Sequence, residues 1–439
     1  MASASRRTVF LLILVSLTTI LVSVGLLLGL RLRTGPRVER LVRDARVLEP
    51  EAFARPSHVS PALPGTFAQA IEPLRRDISE ADMNGYRLIS EEGVDLCGPV
   101  ISGQEPFSSL PSDCAQELDR RRPLVRHVLE ATRTEQGGLP RAEREPLVGG
   151  FVLWDLRRAL PSTMPVRPEL FFLARLAALE VRLLLDQGQK AEAVDVCLDA
   201  LALGREMALG SGVEGRLLSA QAQALAYRPC AAALGAASVE RQRQAIEQLT
   251  RLRQGWPALD HAVRAEAVAC QLYTYGGLLS PEQLDLLPPA ARSIATGTGF
   301  RWDENVGSQL MARDMWRLTS DWFEAMEIAA NRPATELRQA FLDVDAHFRS
   351  QKWLMAPPLI EPYVELAEES ASQSFQLDAL LGLVQAHVAR AEQGRWPETL
   401  APPASERLTI TLHPDGKVVL EPRESTFAEH SLPLGTATP

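Results

Sequence analysis

Asp343, Asp345 and His347, in the run LDVDAHF, are the residues whose types and spacing come nearest to a metal site. Positions four apart share a helix face, so Asp343 and His347 could offer a carboxylate and an imidazole to one ion, while Asp345 would point away. Two ligands are too few, since zinc-type sites take three or four. The pair reads as a solvated helix face. No HExxH, Walker-type glycine loop, GxSxG or CxxC occurs, so neither a zinc hydrolase, a phosphate-binding loop, a nucleophile elbow nor a redox dithiol is indicated. GSGVEG at 210–215 joins two helical patterns and reads as a turn. No catalytic residue, metal or cofactor is expected.

Two other groups of residues could act on a partner or stabilise the chain. Trp302, Trp316, Trp322 and Trp353 fall in a limited stretch and could line a groove for a protein partner; large apolar residues at helical spacing also form ordinary core. Cys97 and Cys114 bracket GPVISGQEPFSSLPSD, a segment rich in Gly, Pro and Ser. A bridge there would close a short loop and stabilise it by about 3 kcal/mol, and disulfides persist outside the cytosol. The alternative is two thiols in a reducing compartment. Five cysteines leave at least one outside any intramolecular bridge.

The elements that must position these residues are mainly helices. Residues 8–30, TVFLLILVSLTTILVSVGLLLGL, form an uncharged stretch of 23 residues after a short N-terminal tail (1–7), which predicts a single transmembrane helix. Within it, Gly25 and Gly29 share a face at the spacing that permits helix dimerisation. The arginines that follow the stretch argue for a cytoplasmic body and the cysteines for an extracytoplasmic one. The latter is the expectation, in a bacterial inner membrane. Residues 31–63, arginine-rich and ending in RPSHVSPALPG, read as a stalk. A net charge of −9 without a basic stripe argues against nucleic acid.

From residue 64 to 393 helical patterns alternate with short turns. PELFFLARLAALEVRLLLDQG is apolar nearly all round and stops at Gly188, and QKAEAVDVCLDALALGREMALG follows with almost no linker, so the two predict an antiparallel hairpin. GQKAEAVDVCLDALAL, through Gly188, Ala193, Ala200, Leu201 and Leu203, resembles the turn and second helix of a tetratricopeptide repeat. The resemblance implies stacked helical hairpins that bind protein partners.

GRWPETL at 394–400, followed by RLTITL, HPDG and KVVLEP, predicts a helix stop at Gly394, a turn at Trp396–Pro397 and a β-hairpin turning at Asp415–Gly416. This glycine–aromatic–proline–leucine junction is similar to that of pseudopilins of type II secretion. It also resembles the ending of a group of uncharacterised bacterial single-pass membrane proteins with a tetratricopeptide-like body. The pseudopilin cleavage site and its glutamate are missing, so no pilin role follows.

The expected fold is therefore all-α: a transmembrane helix, a stalk, an array of antiparallel hairpins over 64–393, a C-terminal turn and β-hairpin over 394–423, and a disordered tail over 424–439. The expected function is a membrane-anchored scaffold or protein-interaction protein without catalytic activity. The rival is a hydrolase whose carboxylates converge from several helices.

Overall fold

In the computed structural model, which describes residues 16–22, 25, 38–49, 55–85, 95–139, 166–297, 306–351 and 360–436, apolar residues at helical spacing yield a predominantly helical chain. Residues 38–44 form α1, which tightens into a 3-10 turn at Ala45–Leu48. Strand β1 (Leu63–Thr66) leads into α2 (Phe67–Ile71), α3 (Arg75–Gly85), α4 (Gly98–Ser102) and α5 (Ser112–Ala131). Strand β2 (Thr134–Gln136) pairs parallel with β1. The helical body then runs α6 (Val166–Asp186), α7 (Lys190–Ala208), α8 (Val213–Ala236), α9 (Val239–Gln254) and α10 (Leu259–Tyr275). Two short helices, α11 (Pro281–Asp285) and α12 (Pro289–Gly297), precede α13 (Val306–Ala330), α14 (Ala334–Arg349) and the long α15 (Glu361–Gln393). The chain closes with α16 (Ala404–Arg407), β3 (Leu408–Leu412), β4 (Lys417–Pro422) and β5 (Leu432–Thr436).

Helix α7 shows why the body is layered. Every residue from Val196 to Ala208 is buried, so the helix is covered on all sides by neighbours rather than by water. Gly188, at φ +75°, makes the turn into it. The Gln189 N–H reaches back to the Leu184 carbonyl at 2.8 Å, satisfying an end carbonyl of α6 in the left-handed glycine stop. At Gly204 an added Cβ would lie 3.4 Å from the Ser219 carbonyl oxygen and 3.8 Å from the Gln223 nitrogen, so the backbones of α7 and α8 approach closely here. The same pair is joined by a Cys197–Cys230 disulfide, and Cys97–Cys114 ties α4 to α5. The fifth cysteine, Cys270, is buried in α10.

Three apolar clusters fill the described chain. One joins α2–α9, α15 and the C-terminal sheet; a second joins α1, α10, α12 and the start of α13; a third joins the rest of α13 to α10, α14 and the start of α15. Burial of these side chains, each worth about 1.5–3 kcal/mol, holds the layers together.

Four sequence expectations need correction. The transmembrane helix over 8–30 is not supported: among the described residues no helix is long and apolar enough to cross a membrane. Of that stretch residues 16–22 and 25 are described, as helix. The rest, Gly29 included, lie outside the described residues, and around Gly25 an added Cβ would meet nothing within 4 Å. Apolar content alone had suggested the span.

The stalk over 31–63 is in its described part a docked element. Val38, Leu41, Ala45 and Leu48 are buried in the second cluster, because their spacing of three and four residues makes one apolar helix face. The chain is mostly helical as expected, but the parallel pair β1–β2 adds strands outside the expected C-terminal hairpin. Finally, 424–436 is structured rather than a disordered tail. Leu432 and Leu434 alternate inward on β5, which pairs antiparallel with β4 and makes the expected hairpin a three-stranded sheet. Pro433 is tolerated there because β5 is the edge strand.

Candidate functional site

The cavity with the clearest chemistry lies where α1, α10 and α13 meet. It encloses about 360 Å³ and is lined by Asp44, Asp321, Glu324 and Glu327 facing Arg40 and Arg264, with Val268 and Phe323 among its apolar walls. Four carboxylates thus meet two guanidinium groups. Each acidic residue projects from a helix held by buried neighbours: Leu41 and Ala45 seat α1, while Trp322, Phe323 and Met326 seat α13, with Leu41 and Phe323 also reaching the cavity wall. Amphipathic spacing therefore turns the charges toward one another.

The two arginines organise the cleft. Arg40 lies 2.5 Å from Glu324 and 3.7 Å from Glu327, and its Nε donates to Asp44 at 3.3 Å. Arg264 Nη2 donates to Glu327 at 2.5 Å and to Asp260 at 3.3 Å. Partial burial opposes the Arg40 charge, but Glu324 and Asp44 outweigh it and hold its pKa above the ordinary value. The hydrogen bond to Glu327 does the same for Arg264, against burial. These are partly solvated pairs, each contributing little stability; their effect is to fix the carboxylates on one wall.

The residues singled out from sequence are scattered. Trp316 is 2% and Trp322 0% exposed. Trp316 stacks on Tyr275 at 5.5 Å and donates its Nε1–H to Gln271, whereas Trp322 meets Phe323 and Tyr363 edge-on. They belong to different clusters because six residues are about 240° of helical turn. An open groove built on them is corrected to two sealed core positions; Trp302 and Trp353 lie outside the described residues. Asp343 bonds Gln339, Asp345 bonds Arg349 and His347 contacts Gln351. Among the described residues no group of three or more His, Cys, Asp and Glu side chains could hold a metal. Cys97 and Cys114 are joined, with Cα atoms 6.0 Å apart.

Sequence reasoning missed a buried charge network on α7. Asp199 accepts from Arg133 at 2.7 Å and lies 2.8 Å from His58 Nε2. Glu206 lies 2.7 Å from Arg55 and 3.0 Å from Arg205, and accepts the Gly138 N–H at 2.6 Å. Burial lowers the His58 pKa despite Asp199, and burial pushes Arg205 down to about 10 despite Glu206. Their action is to clamp residues 55–58 and 132–138 to the body. Nothing local in FARPSHVSP signals partners 141 and 151 residues away.

A serine–histidine contact was also missed. Ser372 Oγ lies 2.8 Å from His430 Nε2, the spacing of a nucleophile and its base. Glu429 approaches that same nitrogen at 3.7 Å instead of orienting the ring from Nδ1. The His430 ring is packed between Phe375 and Tyr227, so the contact secures the C-terminal module to α15.

Compared with protein-family models, curated proteins and solved structures, the chain matches none. The site's own chemistry must carry the functional reading.

Proposed function

We propose that the chain is a helical scaffold that docks a partner polypeptide, taking an arginine or lysine side chain of the partner into the cleft between α1, α10 and α13. One observation carries this reading: four carboxylates and two guanidinium groups line a cavity of about 360 Å³, an acidic lining that suits a basic side chain, although Arg43 and Arg317 also reach Asp44 and Asp321 from outside it. The apolar wall of Val268 and Phe323 suits the methylene stem of such a side chain, whose charged head would reach Asp321 and Glu324. Two disulfides support an oxidising compartment as the place of action.

The test uses the full chain and fluorescent tripeptides, Gly-Arg-Gly and Gly-Glu-Gly, read by anisotropy at low salt. The arginine peptide is expected to bind and the acidic one not. Neutralising the carboxylates in a D321N/E324Q variant should weaken binding about tenfold, the loss of roughly 1.4 kcal/mol. Affinity should also fall as salt rises. Equal binding of both peptides, or undiminished binding by the variant, would remove the proposal.

A further inference from the structure

Arg216, in the first turns of α8, is 5% exposed. Two of its three guanidinium nitrogens, Nε and Nη1, are sealed from solvent without a hydrogen-bond partner. The buried charges of neighbouring α7 are treated differently, since Arg205 has Glu206 and Asp199 has Arg133. Arg216 faces the Trp256 ring instead, with Cζ 5.9 Å from its centroid. An aromatic face offsets only part of the cost of taking a guanidinium out of water. Burial alone acts on its ionisation, pushing it down to about 10.

His261 on α10 is near enough to feel the Arg216 charge, which lowers its pKa further after burial and Arg264, while the polar groups along the adjoining α8–α15 seam are uncharged. Ser219 Oγ accepts from Gln373 Nε2 at 3.1 Å, Gln223 Nε2 donates to the Gln373 carbonyl at 2.6 Å, and Trp256 Nε1 donates to Gln373 Oε1 at 3.1 Å. A weaker contact links Gln223 to Gln376 at 3.3 Å. Ser219 therefore pairs with Gln373 and Gln223 with Gln376, so α8 and α15 run in the same direction along this seam. Continuing that register one turn toward the start of both helices sets Ser370 level with Arg216. Ser370 Oγ is likewise buried without a partner. A buried cation on an aromatic ring, and an unused hydroxyl at the same level of the facing helix, are groups that one anionic acceptor would satisfy.

We propose that Arg216, Ser370 and the face of Trp256 form a binding site for the oxyanion group, carboxylate or phosphate, of a small-molecule ligand. Guanidinium recognises both groups through paired N–H donors. Ser370 would add an O–H donor, and the indole face would cover the ligand beside the charged group. This site lies on the α8–α15 seam and is separate from the carboxylate-rich cleft, so either can fail without the other.

Thermal unfolding of the full chain at matched ionic strength, in chloride, acetate or inorganic phosphate, tests this site. Phosphate, acetate or both should raise the midpoint over chloride by a few degrees and saturate with concentration, as mass action on a native-state site requires. Which anion acts distinguishes a phosphate-selective site from one that also takes carboxylates. R216M keeps the apolar stem and removes the charge, and should lose the increment entirely. No increment over chloride, or the same increment in R216M, overturns the proposal; the second result would mark general exclusion of the anion from the surface. S370A provides an independent reading should R216M not fold. A several-fold weaker phosphate or acetate titration supports the site, and an unchanged one overturns it.

Discussion

The Arg55 guanidinium lies 2.7 Å from the Glu206 carboxylate, joining two positions 151 residues apart whose side chains are 1% and 0% exposed. This pair, with Arg205 and the Gly138 N–H on the same carboxylate, fastens the segment around residue 55 to the most buried helix of the body.

Replacing Glu206 with Gln keeps the shape and removes the charge, leaving Arg55 and Arg205 facing each other without a counter-ion. Breaking one side of a buried pair costs about 3–5 kcal/mol, and E206Q is expected to lose stability in that range. Urea unfolding of the variant and parent measures it; a loss under about 1 kcal/mol would show that the charge is not what holds this segment.

Thiol counting checks the covalent framework. With Cys97–Cys114 and Cys197–Cys230 closed and Cys270 buried, the oxidised native chain should react negligibly with a thiol reagent. Unfolded without reductant it should show one thiol, and after reduction five. A C97S/C114S variant should lose about 3 kcal/mol, the loop-closure value for a bridge of this span. Three or more thiols in the unreduced unfolded chain would mean that at least one bridge is not formed.

Acid should weaken the fold through its buried imidazoles. Burial lowers the pKa of His58, His261, His387 and His430 in the folded state. The unfolded chain therefore binds more protons below the ordinary imidazole value of about 6.5, and stability falls as pH drops through that value toward the depressed folded ones. Above about pH 7 these groups should contribute no slope. His58 is the strongest single case, because it is wholly buried with Nδ1 lacking any partner. H58Q retains a donor for Asp199 and cannot be protonated, so its stability should change less between pH 7 and pH 5.5 than the parent's. Identical slopes would exclude His58 as a contributor.

The local signals were legible wherever the cause was local. Gly394 stops α15 in a left-handed conformation at φ +72°, with its N–H on the Arg390 carbonyl, as its place before Trp396–Pro397 suggested. The HPDG turn is formed, with the Gly416 N–H bonded to the His413 carbonyl. Trp396 packs back on α15 through Arg390, 4.4 Å from its ring, and Leu400 is buried. Its Nε1–H, however, reaches the Thr436 carbonyl, in the segment that composition had marked as a tail. Two leucines alternating about a proline and followed by a glycine make a weak strand signal alone; β4 supplies the partner edge that makes it a strand.

Sequence by itself determined the periodicities and stops: which stretches are helical, where glycines end them, that a hairpin follows Trp396, and that five cysteines leave one over. These follow from contacts within a few residues, or from counting. Tertiary structure decided what each face meets. It docked the supposed stalk on α10, sealed Trp316 and Trp322 in separate clusters, and chose which cysteines pair. It also assembled the cleft by bringing α1 to helices more than 200 residues further along the chain, and buried Arg216 against Trp256. The physical reason is that burial and charge pairing depend on proximity in space, and a residue's type gives no measure of which distant side chain will stand beside it.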